Sequence, residues 1–192
     1  FFSFIQSCKL SAKIMNSVSS VVLLDRCDRY HRSMLDPMVD AMITALKGDV
    51  DFHGRAVMLK PNLISAIAPS IGCTHGEFLC AVASCFLDRG AKVRLGDSPA
   101  FDSAAAVLKK MGIKRSLEAM NVDLVEFVTP IAKMLEGRVR VAVAAEALEC
   151  DMFVGLPKVK EHNQMYMTLA LKNIFGILKG TRKAQLHMTQ GK

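Results

Sequence analysis

Arg55-Ala56-Val57-Met58-Leu59-Lys60-Pro61-Asn62 decides how this chain is read. A short apolar run bounded by turn signals has the pattern of a buried strand. Proline cannot continue a central ladder, so the strand is expected to stop at Lys60-Pro61-Asn62. Two more segments repeat the pattern. Ala91 to Leu95 runs into Gly96-Asp97-Ser98-Pro99, and Asp151 to Val154 runs into Gly155-Leu156-Pro157-Lys158. Each is an apolar strand that ends in a turn cluster with polar side chains.

Helical patterns fill the intervals. Met34, Met38, Met42, Ile43 and Leu46 fall near helical spacing, and Gly48 ends that helix. Ser65 to Thr74, with Pro69 and Gly72, reads as a loop. Thr74 and Glu77 match a capping box for a helix running to Arg89, which Gly90 closes in the left-handed position. Residues 102–111 form a helix ended by Gly112, and Arg115 to Met120 a short one. Further strands are expected at Val18 to Asp25, at Val122 to Phe127, and at Arg138 to Val143 as an edge strand or hairpin arm. Met165 to Leu178 reads as an apolar helix broken near Gly176. Strands alternating with helices imply an α/β fold, a mostly parallel sheet with helices on both faces. The chain ends without a closing element, so residues 15–192 read as a single, C-terminally truncated α/β domain. Residues 1–14 precede Met15 and are expected to lie outside the fold.

The 192 residues are 51% hydrophobic and 22% charged, a globular composition. The net charge of +7 is concentrated at one end. From Gly155 onward there are seven Lys or Arg residues and one acid, Glu161, a net of +6. Such an excess favours anions, the alternative being a plain solvated basic surface. There is no aromatic interleaving or reading motif for nucleic acid, and no glycine-rich phosphate loop. No apolar run approaches the roughly 20 residues of a membrane span. The six cysteines show no C-x-x-C spacing and no signal peptide is evident, which predicts a cytoplasmic setting without disulfides.

In open parallel sheets, ligands sit beyond the carboxyl ends of the strands. That rim would gather Lys60 and Asn62, Asp97 and Ser98, and Lys158, Lys160 and His162. Lys172 and Asn173, inside an apolar segment, are expected to reach the same polar pocket, because an unpartnered lysine is not buried. Pairing of Lys172 with Asp97 is the alternative. The lysines suit a small anionic ligand, and Asn62 and Asn163 could orient it, with Asn173 lining the same pocket. His162 is the acid/base candidate, since imidazole titrates near about 6.5. A metal held by His75, His162 and His187 has no spacing to support it, and Ser98 lacks a nucleophile-elbow context. Docking of an acidic partner by the basic segment is the second functional expectation.

These clusters resemble the domain-of-unknown-function 362 family. The matching segments are Val57 to Leu63, Thr74-His75, Arg89-Gly90-Ala91, Gly96 to Pro99, Gly155 to His162 and Met167 to Gly176. The resemblance implies an iron–sulfur association, because many members carry a ferredoxin-like module with two four-iron clusters after this domain. No cluster-binding cysteine run occurs here, so the resemblance places no cofactor on any residue of this chain.

Overall fold

The computed structural model describes residues 3–6, 22–47, 50–99, 102–135, 139–162 and 166–178. Its centre is a sheet of five strands, β1 (Ser3–Gln6), β2 (Ala56–Pro61), β3 (Lys92–Asp97), β4 (Asp123–Glu126) and β7 (Met152–Leu156), in the order β1-β7-β2-β3-β4. β7, β2, β3 and β4 run parallel. β1 adds an antiparallel edge, with Ile5 opposite Phe153, so Ser3–Gln6 belong to the sheet, contrary to the expectation that residues 1–14 lie outside the fold. The fold is thus α/β with a parallel core sheet.

The alternation of side chains along β2 sorts the core into two layers. Val57 and Leu59 join Val93, Leu95, Val154 and Leu156 against the long helices α1 (Arg32–Lys47) and α3 (Gly76–Leu87). The shorter helices α4 (Ala104–Lys110) and α5 (Lys114–Ala119) add Val107, Leu108 and Leu117 to this layer. Met58 and Phe153 point the other way and meet Phe127, Ala144 and Ala147. That face is covered by the hairpin β5 (Pro130–Leu135) with β6 (Val139–Ala144) and by α6 (Ala145–Leu148).

Several local expectations need correcting. Val22 to Asp25 forms no strand, and Val18 to Val21 lie outside the described residues. In α1 the fully buried stripe is Leu35, Val39 and Ile43, one position on from the methionines. Strand β2 runs through Pro61, which pairs in register with Leu156 as the last residue of its strand. A proline is tolerated there because the ladder needs nothing beyond it. Pro69–Gly72 is a short helix, α2, within the expected loop. Tyr166–Thr168 is not helical. It is strand β9, pairing antiparallel with β8 (Lys160–His162), and only Ala170–Ile174 (α7) and the 3-10 turn Phe175–Ile177 are helical. Gly90 does close the turn after α3, at φ +75°.

Candidate functional site

Because four strands run parallel, their carboxyl ends share one rim, and register aligns them closely. Lys60 lies beside Gly155 and Pro61 beside Leu156, while Asp97 lies beside Glu126. The rim holds two sets of polar groups that differ in kind.

The first set is buried and mutually satisfied. Lys60 and Asn173 are each 1% exposed, and Asp97 is 3% exposed. The Lys60 ammonium sits 2.8 Å from Asp97 Oδ1 and donates to the Pro61 carbonyl at 2.6 Å and to Asn173 Oδ1 at 2.9 Å. Those three partners match its three donors. Asp97 also accepts from the backbone N–H groups of Leu63 and Ser98, both at 2.7 Å. Asn173 Nδ2 donates to the Lys60 carbonyl at 2.7 Å, and Asn62 Nδ2 donates to Asn173 Oδ1 at 2.9 Å. Asn62 Oδ1 accepts from the Lys158 N–H at 2.7 Å, which ties the end of β7 to the end of β2. Burial pulls the Lys60 ammonium's pKa down and the Asp97 carboxylate opposes it. An unpaired buried charge would be far costlier than this paired one.

Thr74 and Gly176 complete this lattice, and sequence reasoning assigned neither to it. The Thr74 hydroxyl accepts from the Asn62 N–H at 2.9 Å and donates to the Leu156 carbonyl at 2.7 Å. It therefore does not cap α3. His75 takes the cap, with Nδ1 accepting from the Glu77 N–H at 3.3 Å, while its ring stacks on Tyr30 with centroids 3.9 Å apart. A Cβ on Gly176 would overlap the Lys60 ammonium and the Asp97 carboxylate. The approach of α7 and its 3-10 turn to the pair thus requires glycine there. At β4 the Glu126 carboxylate accepts from the Ala104 and Ala105 N–H groups, at 3.1 and 2.9 Å, anchoring the start of α4.

The second set is half-exposed and has no carboxylate partner among the described residues. The Lys158 ammonium donates to the Ser70 carbonyl at 2.5 Å and the Lys160 ammonium to the Gly72 carbonyl at 2.9 Å. The Lys172 ammonium lies 5.1 Å from the centre of the Phe175 ring. Burial lowers the pKa of Lys160, and the like charges of Lys158 and Lys172 lower it further against the opposing pull of Cys73 and, more weakly, of Asp97. Burial and then the Lys60 charge lower that of Lys172. Burial lowers His75, with Lys158 adding to the fall and Glu77 opposing it.

The sequence-selected residues therefore divide. Lys60, Asn62, Asp97 and Asn173 come together, but on one another. Ser98 contributes its N–H to Asp97. Lys158, Lys160 and Lys172 form the cationic group, and Lys172 does not pair with Asp97. His162 lies in β8 with its backbone opposite Tyr166; its side chain, Asn163 and His187 are outside the described residues.

The described residues do not provide a cluster or metal cradle. No three His, Cys, Asp or Glu side chains among them are grouped to hold a metal ion, and the described cysteines, Cys27, Cys73, Cys80, Cys85 and Cys150, are free. Burial raises the Cys80 thiol and pushes Cys85 up to about 11, so both are protonated at neutral pH.

Fold and rim define a parallel-sheet α/β domain whose strand ends carry a closed polar lattice beside an open group of lysines. The chain belongs to the family described as Domain of unknown function (DUF362), whose model matches residues 57–192. It is 36% identical over 179 residues to the "Thylakoid-associated protein sll1697" of Synechocystis sp. (strain ATCC 27184 / PCC 6803 / Kazusa). That match covers 91% of this chain and 56% of the relative, so the chain spans about half of the relative's length. No solved structure matches the chain. No helix among the described residues is long and apolar enough to cross a membrane.

Proposed function

We propose that the domain binds a small anionic ligand at the carboxyl ends of its strands, through Lys158, Lys160 and Lys172. One observation carries the reading. Three lysines gather at this rim, the charges of Lys158 and Lys172 lower the pKa of Lys160, and none of the three forms a salt bridge among the described residues. An arrangement of like charges is unfavourable unless something of opposite sign sits among them. Lys60 and Asp97 act as the support beneath, since their bonding capacity is already spent on each other and on Asn173. Where the ligand is also a substrate, His162 is our candidate for moving a proton. The site does not require the iron–sulfur module that the family resemblance implies, and free thiols suit a cytoplasmic setting.

Isothermal titration of the full chain with inorganic phosphate, at constant ionic strength, tests this. Lys160→Met is expected to weaken binding at least tenfold without loss of thermal stability. Equal affinity in wild type and variant, or no binding in wild type, would refute the reading.

A second reading is docking of an acidic partner. It is favoured by large apolar side chains left exposed in the rim segments, with Ile67 85%, Ile71 75% and Leu171 83% exposed. A relative named for its association with thylakoids fits a docking role. An acidic partner docked there would be weakened by Lys160→Met and lost on Ile71→Asp with Leu171→Asp, as read by co-sedimentation or pull-down of that partner.

A further inference from the structure

Thr168 is the residue on this rim whose chemistry the lattice leaves unused. It is 3% exposed, and its hydroxyl has no hydrogen-bond partner among the described residues. A buried hydroxyl in that state is unfavourable by about 1–3 kcal/mol, and threonine would gain from replacement by valine if packing alone mattered. Register places it directly opposite Lys160 in the β8–β9 ribbon. Directly opposed residues of an antiparallel pair project from the same face with their Cβ atoms about 5 Å apart. The orphan hydroxyl thus neighbours the stem of the lysine on which Lys158 and Lys172 act.

We infer that the Thr168 hydroxyl is the neutral hydrogen-bond donor of the anion site, and that the ligand it serves carries a phosphate group. This rests on the anion reading of Lys158, Lys160 and Lys172 given above.

The charge count selects phosphate. Three ammonium groups with no salt bridge among the described residues leave more positive charge than one carboxylate can neutralise, whereas a phosphate monoester carries about −1.5 to −2 at neutral pH. Lysine ammonium groups attract as point charges and do not fix orientation. A hydroxyl on a β-branched side chain does, because its χ1 is restricted. The Lys160 ammonium now rests on the Gly72 carbonyl through a flexible four-carbon stem. Binding draws it off that carbonyl, and a phosphate oxygen takes the place between it and the Thr168 hydroxyl.

The experiment compares wild type, Thr168→Val, Thr168→Ser and Lys160→Met, each titrated with inorganic phosphate at neutral pH and fixed ionic strength, alongside a thermal melt. The expected result is a split of opposite signs. Thr168→Val weakens phosphate binding roughly tenfold, the worth of a hydrogen bond to a charged group, while its melting temperature equals or exceeds that of wild type. Thr168→Ser retains phosphate binding. Unchanged affinity in Thr168→Val with weakened binding in Lys160→Met would overturn the role of Thr168 and leave the anion site standing. A sharply lower melting temperature in Thr168→Val would show that the hydroxyl holds the fold, which also overturns it. Absence of phosphate binding in wild type would overturn both.

Discussion

Lys60 and Lys160 belong to the same rim of the same sheet, yet one is closed and the other open. Lys60 is encased by Asp97, Asn173 and the Pro61 carbonyl, and water does not reach it. Lys160 keeps one carbonyl partner and two like-charged neighbours. The difference teaches that strand-end polarity serves two ends in this fold. The centre of the sheet uses it to lock β2, β3, β7 and α7 together, and the flank leaves it available. A lysine at the end of a parallel strand is thus a ligand candidate only when its donors are not already matched.

The comparison breaks most visibly at Lys60. Lys60→Met strands the Asp97 carboxylate in the interior, a loss of about 3–5 kcal/mol, measurable by urea unfolding. The double variant Lys60→Met with Asp97→Asn loses less than the two single variants summed, because the stranded charge is gone. Gly176→Ala comes next. Its new methyl group meets the Lys60 ammonium, and overpacking of this kind destabilises by about 1–3 kcal/mol. Thr74→Val follows, at about 1–2 kcal/mol, since it leaves the Asn62 N–H and the Leu156 carbonyl without their bridge.

The smallest effect belongs to the open set and concerns pH. Burial and like charge lower Lys160 and Lys172 below the ordinary 10.5. A depressed lysine contributes stability that is present above the unfolded value and lost as pH falls through the folded one. Relative to a Lys160→Met, Lys172→Met variant, wild type should therefore gain stability as pH rises through the window just below 10.5 and up to it. Bound phosphate favours the charged forms, so it should flatten that gain. Unfolding curves at stepped alkaline pH, with and without phosphate, check both signs.

Much of this was legible in the sequence. The three strand-end clusters were visible because an apolar run stopping at a proline or glycine is a strong local signal, as at Leu59-Lys60-Pro61 and Leu156-Pro157-Lys158. Their shared rim followed from parallel topology. What the chain did not reveal was pairing. Whether Asp97 would meet Lys60 or Lys172 depends on the path of α7, which hinges on the close approach of Gly176. The helix expected from Met165 failed because its polar and apolar residues suit a two-stranded ribbon, and only the pairing of Lys160 with Thr168 makes that visible. Thr74 looked like a cap since Glu77 stands three residues on, but the Asn62 N–H competes for the same hydroxyl and wins. Thr168 carried no signal at all, because an unpaired hydroxyl is a property of its surroundings.

The most direct measurement of the central claim is an NMR titration of the lysine side-chain amines, resolved residue by residue, with and without inorganic phosphate. The account predicts that phosphate raises the pKa values of Lys158, Lys160 and Lys172 and leaves Lys60 where Asp97 and burial hold it. A shift at Lys60, or none at the other three, would contradict it.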